Sequence, residues 1–473
     1  MSILQNIQAL TKALEAGQIT GAPGTLVQGS ALQIHEMDGV MHNVTFGDEH
    51  IKLQKIFPVK KQKNTLVRFK RQLSYGEFGS SAQLEGAVGQ EEVGDYVEAV
   101  VPMAYYSHIR RTTLAANLVE SFDGIKAEDR EAANAAMKIA ADIEFDCFQG
   151  KAHFSNAGVF DGNPLAIGVT PNLTGLDVQI RQSDIQSNTQ DQMFAEFGSS
   201  ESVVLSAGGG TLSQILVEDL ALRSRLNFGK AERLMLDPVA LSAYNKLVLQ
   251  SSANVNQFAT MGQALTSSGA DLRSQLVSEG SVKMETSHFL RGKYRPARVR
   301  AGAPAAPVLT GVGTPTIPSG LIPSGSYIYK VTAVNDKGEG VAAVMPAVSL
   351  NGTQGRTFTI AAQGTVGTRY FNVYRSDAGG TADSAKFIGR IAYNGQATVT
   401  FSDLGNKVPA FTNGYLIESS EEIASLRELA PYSRAKMAIQ DLSSAEAHFR
   451  FVCLAVYQPR KLVICDNLRG TFK

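Results

Sequence analysis

Between about residues 303 and 411 the patterning of the chain changes, and that change constrains the fold more than any other feature. On both sides, apolar residues recur at helical spacing in several segments; inside it there is no helical period. Short Val, Ile, Tyr and Phe runs at 307–310, 326–334, 341–350, 356–361, 369–374, 386–392 and 397–402 alternate with clusters of Gly, Asn, Asp and Pro. Seven such runs in about 110 residues match the strand count and size of a β-sandwich. Linkers bearing Pro and Gly (301–307 and 407–414) flank the segment, and helical patterning resumes after it. The sandwich is therefore expected to be an insertion into a discontinuous α+β domain.

The flanking sequence supplies the helices. In 2–17, Ile3, Ile7, Leu10 and Leu14 form one apolar stripe, with Ser2 as N-cap, Gly17 as stop and a Gly-Ala-Pro-Gly hinge at 21–24. Such a helix packs on a distant part of the assembly or folds back on its own domain. A longer helix is predicted over 127–150, where Ala132, Ala136, Ile139, Ile143 and Cys147 fall on one face and the Ala content makes that face thin. Two more are predicted over 211–227 and 238–249, the second with Asp237 as N-cap and Pro238 at its first position, and a short strand over 202–205 precedes them. Ser419-x-x-Glu422 reads as a capping box ahead of Ile423, Leu426 and Leu429, and the runs 449–457 and 462–465 read as a closing pair of apolar strands.

The segment 51–103 is a hairpin with an unusual connection. Over 65–73, Val67 and Phe69 alternate with Arg68 and Lys70, and 95–101 alternates in the same way, so each strand has one wet face. The roughly 20 residues between them carry Gly76, Gly79, Gly86 and Gly89. A connection of that length in a compact domain usually has a function. Charge is segregated along it: Lys60, Lys61, Lys63, Arg68, Lys70 and Arg71 precede the turn, whereas Glu77, Glu85, Glu91 and Glu92 belong to its acidic second half. Opposite patches of this kind suit docking between copies of one chain, or pairing within the hairpin itself, and these ten residues are the candidates for contact between subunits.

Catalytic constellations are not found. His35, Glu36, Asp38, His42, Asp48 and His50 have neither the spacing of a zinc helix nor that of a tight metal loop. The Gly208-Gly-Gly-Thr run lacks the Gly-Lys-Ser/Thr ending of a phosphate loop and reads as a turn between strand and helix. Three cysteines, Cys147, Cys453 and Cys465, are too few for a disulfide framework, and their apolar surroundings argue for buried hydrophobes rather than nucleophiles. No enzyme activity, cofactor or metal is expected. With 44 Lys+Arg against 44 Asp+Glu, the chain has no bulk charge with which to coat nucleic acid. Neither a secretion signal nor a run of ~20 apolar residues is seen, so a soluble protein made in a cytoplasm is expected.

The order of parts, from N-terminal helix through charged hairpin, Ala-rich helix and α+β domain to terminal strands, resembles the major capsid proteins of tailed bacteriophages, the Hong Kong phage-type capsid fold. Leu454-Ala-Val-Tyr457-Gln-Pro459 followed by Leu462-Val-Ile464 is similar to the closing strands of that family. The resemblance implies an N-terminal arm (1–50), an extended E-loop (51–103), peripheral and axial domains with a spine helix (104–302 and 412–473), and an inserted sandwich (303–411). Tyr327-Ile-Tyr-Lys-Val-Thr-Ala-Val334 with its following turn, and Tyr370-Phe-Asn-Val-Tyr-Arg375, resemble fibronectin type III and immunoglobulin-like repeats, although no Trp or Cys pins this segment. The resemblance also implies a homo-oligomer of pentamers and hexamers forming an icosahedral virion shell around double-stranded DNA, assembled in a bacterial host, with scaffold, cement or minor capsid proteins as possible partners and no membrane. An encapsulin-type nanocompartment shell is the alternative, and a surface adhesin is a more distant one.

Overall fold

In a computed structural model the described residues are 46–72, 75–76, 82–89, 91–94, 96–118, 125–150, 173–184, 203–250, 273–278, 280–291, 302–335, 337–363, 367–393, 397–437 and 442–470. The expected N-terminal helix over 2–17, with His35, Glu36, Asp38 and His42, lies outside them. The architecture is α+β.

One layer is a four-stranded sheet in the order Val59–Lys61, Ala424–Lys436, Ser443–Val456, Ala104–Thr113. The two central strands are antiparallel and unusually long, and Val59–Lys61 joins the edge in parallel. The helix Ala127–Gln149 lies across this sheet. Its inward side chains Ile139, Ile143 and Cys147 share a core with Leu426, Val452 and Leu454. The contact face is broader than the Ala spacing predicts. From Ile143 to Phe148 every residue is buried, including Glu144 and Asp146.

The second layer is a mixed six-stranded sheet ordered Val204–Ser206, Val463–Arg469, Phe411–Ile417, Arg233–Leu236, Gly280–Thr286, Ser274–Val277. The helices Gln214–Leu226 and Pro238–Gln250 fall where expected. Ser213 caps the first by accepting from Leu216 N at 3.2 Å, and Asp237 caps the second by accepting from Val239 N at 3.1 Å. The Gly208–Gly209 pair, both at positive φ, makes the turn from strand to helix.

Two sequence readings are corrected. No helix follows Ser419: residues 424–436 are a strand, because the whole segment finds a partner in 443–456 and long-range pairing overrides a local cap signal. The Ser419 hydroxyl and amide instead donate to Glu232, at 2.6 and 2.9 Å. The register slips twice around Pro431, where a proline interrupts the ladder. The closing apolar strands also do not pair with each other. Ser443–Val456 belongs to the first sheet and Val463–Arg469 to the second, so the chain crosses between layers at 457–462.

Between 308 and 403 the described residues form strands, with one short 3-10 turn at Ala382–Ser384. A sheet of Gly338–Glu339, Tyr329–Asn335, Tyr370–Arg375 and Lys386–Ala392, with Ala343–Val344 off its path, faces a sheet of Val399–Asp403, Arg356–Ala361 and Val308–Gly313. Tyr329, Val331, Phe371 and Ile388 from one meet Phe358 and Ile360 from the other in a core separate from those of the body.

Candidate assembly interface

The hairpin forms as its alternation predicts. Leu66–Gln72 pairs antiparallel with Tyr96–Pro102 in an unbroken register from Leu66↔Pro102 to Gln72↔Tyr96. Its stem has one dry face: Val67, Ala99, Val101 and Met103 pack with Cys453 and Ala455, and Phe69 meets the Tyr457 ring edge-on at 4.9 Å. Strand geometry puts residues 67, 69 and 71 on the same side, so Arg71 points inward with the apolar pair. It is buried, donating from Nε to Tyr457 O at 2.9 Å and from Nη2 to Val456 O at 2.8 Å. Its place among the surface candidates is thereby corrected: Arg71 fastens the stem to the body.

The other candidates divide. Lys60 pairs with Glu421 and Arg68 with Glu98 at 3.8 Å, so both have partners within the chain. Lys61 ends the edge strand of the first sheet, Lys63 lies between that strand and the stem, and Lys70 is on the stem; all three are exposed, as are Glu85, Glu91 and Glu92 at the tip, none with an ion pair among the described residues. Glu77 lies outside the described residues. Basic stem and acidic tip are thus separate along the hairpin, and only Arg68–Glu98 joins the two signs within it among the described residues.

The tip has a second property that charge counting does not disclose. Tyr75, Leu84, Val88 and Val93 are exposed to 94%, 87%, 92% and 83%. Residues 82–89 are exposed throughout, and a local bond from Ala87 N to Leu84 O at 3.0 Å lies within them. Four large apolar side chains exposed together are more than the scattered single ones of an ordinary surface.

The body carries the hairpin on a rigid seat. Glu144, buried in the long helix, accepts from Lys52, Leu53 and Gln54 backbone N–H groups at 3.0, 2.7 and 3.1 Å, which fixes the segment leading into the stem. Burial pushes the Glu144 carboxyl up, and the three N–H groups pull it back towards the charged form. This latch was not legible beforehand, because its two halves are 90 or more residues apart. Burial pushes all three cysteine thiols up, as inert hydrophobes require. Among the described residues no group of three or more His, Cys, Asp or Glu could hold a metal, and no helix is long and apolar enough to cross a membrane.

No protein-family model and no curated protein matches the chain. Among solved structures it aligns with the capsid of Myoviridae phage XM1 (10% identity, 94% of this chain and 100% of that one, TM-score 0.45). It also aligns with the capsid of the native GTA particle (8% identity, 95% and 100%, TM-score 0.47). A third is the SrpI encapsulin complex of Synechococcus elongatus PCC 7942 (8% identity, 95% and 98%, TM-score 0.38). By their titles these are capsids and an encapsulin.

Proposed function

We propose that this chain is the major capsid protein of a tailed bacteriophage, a subunit that self-assembles as pentamers and hexamers into an icosahedral shell around double-stranded DNA. The observation that carries the reading is the hairpin tip. A projection whose stem is buried and fastened by Arg71, and whose end presents Tyr75, Leu84, Val88 and Val93 to water, is stable only against another molecule. In a closed assembly of identical chains every tip finds that cover. Zero formal net charge suits a wall that encloses nucleic acid without gripping each phosphate.

In the same reading 1–50 is the arm, 51–103 the E-loop, 104–302 with 412–473 the peripheral and axial domains, and 303–411 an inserted immunoglobulin-like sandwich on the outer surface. The chain is made in the host cytoplasm, resides in the virion and has no catalytic role; scaffold, cement or minor capsid proteins are its further partners. Expression of the chain alone, followed by negative-stain electron microscopy and mass photometry, tests this. Shells, tubes or capsomer-sized rings are expected. Particles packed with protein cargo would establish the encapsulin-type compartment instead, and a monomer at every concentration, with or without lysate of the phage host, would refute self-assembly.

A further inference from the structure

The β region between 308 and 403 touches the body at two places that belong to different layers. At the first, Arg390 of the strand Lys386–Ala392 lays its guanidinium 4.5 Å from the Phe145 ring of the long helix and 4.3 Å from the ring of Tyr370 on the adjacent strand. Its Nε donates to Asn372 Oδ1 at 3.0 Å, which fixes the guanidinium in place. Phe145 and Asp146 are both buried. Charge of both signs meets here: Arg369 and Arg390 come from the β region, Asp142 and Asp146 from the helix, and Lys138 pairs with Asp142 at 2.9 Å.

The second attachment is the exit, 407–410. Lys407 pairs with Asp466 of the strand Val463–Arg469, Val408 N donates to Asn467 Oδ1 at 2.7 Å, and the Val408 side chain fills the space where a side chain at Gly209 would stand. Arg181 of the helix Leu176–Asp184 holds the same Asp466 at 3.0 Å and Asp177 at 2.7 Å, so two cations and two acids balance. That helix is bound in turn to the first sheet, since Gln179 Nε2 donates to Leu454 O at 2.8 Å and Gln179 Oε1 accepts from Val456 N at 3.1 Å. Among the described residues three non-glycine residues are left-handed. Phe228 lies just past the helix Gln214–Leu226; the other two, Ala410 (φ 61°) and Asn467 (φ 57°), are both at this attachment. Asparagine tolerates the conformation and alanine does not. Ala410 is held in it from the β region: its N–H donates to Phe387 O at 2.7 Å, and the Phe387 and Phe411 rings stack at 5.9 Å across the joint. Such strain persists only where the surrounding contacts over-determine the backbone. We propose that the β region is a clamp between the two layers of the body, closed on the long helix by Arg390 and on the second sheet by Lys407, so that it unfolds with the body as one unit and is no domain on a tether.

Calorimetry and hydrogen exchange on the full chain, kept dilute enough to stay unassembled, test the clamp. One heat-absorption peak is expected for the wild type. The double variant Arg390→Ala with Lys407→Met should split it into two, and amides over 143–148 and 463–469 should exchange about tenfold faster or more. Two separate peaks in the wild type, or a double variant indistinguishable from it in both measurements, overturn the proposal. Ala410→Gly reads the strain at the exit. Where the clamp holds this residue left-handed, glycine relieves it and the melting temperature should rise by about 1–2 °C. Where the exit is a loose tether, glycine only adds freedom to the unfolded chain and the melting temperature falls, which counts against the clamp. These readouts concern a single subunit, so their failure leaves the shell reading untouched, and a chain that never assembles leaves the clamp untouched.

Discussion

The hairpin and the all-β region between 308 and 403 are built from the same kind of strand and held by opposite means. The β region closes on itself. Its two sheets share the Tyr329, Phe358 and Phe371 core, and a buried pair, Arg375 with Asp403 at 2.5 Å, is completed by the Tyr329 hydroxyl at 2.9 Å. It then adds a few contacts to the body: the Arg390 guanidinium lies 4.5 Å from the Phe145 ring and 4.3 Å from the Tyr370 ring, and Lys407 pairs with Asp466. Among the described residues the hairpin has no second sheet: its stem borrows a core from the body and its tip has none. A strand is therefore only as stable as the face laid against it.

The largest effect expected from this contrast is in isolated pieces. Residues 303–410 expressed alone should melt cooperatively, whereas 59–103 alone should show no cooperative transition by circular dichroism. Two cooperative domains, or none, would break the comparison. Next, Phe358→Ala should cost about 3–5 kcal/mol of stability in the β region and leave assembly intact where folding survives. Leu84→Ser with Val88→Ser should do the reverse, abolishing particles by mass photometry with a change in stability within about 0.5 kcal/mol. Arg71→Met sharpens the border between stem and tip. It leaves the Val456 and Tyr457 carbonyls without their donor and should cost about 2–3 kcal/mol in denaturant melts, unlike its neighbour Lys70→Met, which should be near neutral.

A smaller prediction concerns where the β region meets the long helix. Asp146 accepts from the Tyr106 hydroxyl at 2.7 Å, and burial pushes its carboxyl up to about 6 from an ordinary value of 3.8. The native state therefore holds this proton more tightly than the unfolded chain. Its contribution is present in full below about pH 4 and is lost as pH rises through about 6. Asp146→Asn should flatten that window and gain up to about 3 kcal/mol at pH 7.5. His108 acts in the opposite direction. Burial first, then Lys138 and Arg110, lower it to about 4, so its contribution is present above pH 6.5 and fades as pH falls through about 4. Being half exposed, it should give a weaker slope than Asp146, measured as the difference between His108→Gln and wild-type melts.

Elements whose signal is local were readable in the sequence. The hairpin strands match their alternation to within a residue, and the caps at Ser213 and Asp237 do what their residue types require. In the β region the runs 356–361 and 386–392 coincide with strands. What escaped depends on distant partners. A cap signal at Ser419 gave way to Glu232 and to a long antiparallel neighbour. Arg71 was a partial exception, since its two-residue spacing from Phe69 already assigned it to the dry face and only its charge suggested otherwise. Phe228 had no sequence signal, because a left-handed backbone at a non-glycine residue follows from how the helix end is closed.

The two carbonyls that Arg71 grips belong to Val456 and Tyr457, the point where the chain leaves one sheet for the other. Tyr457 is tied down on every side there: its amide donates to Ile423 O at 2.7 Å, and its hydroxyl lies 2.6 Å from Ser425 and 2.8 Å from Arg427 Nε. A pull on the projecting arm is thus delivered to the backbone junction of both layers rather than to a surface loop. The longest strands among the described residues, Ala424–Lys436 and Ser443–Val456, run into this joint, so a load on the hairpin is spread along the whole first sheet.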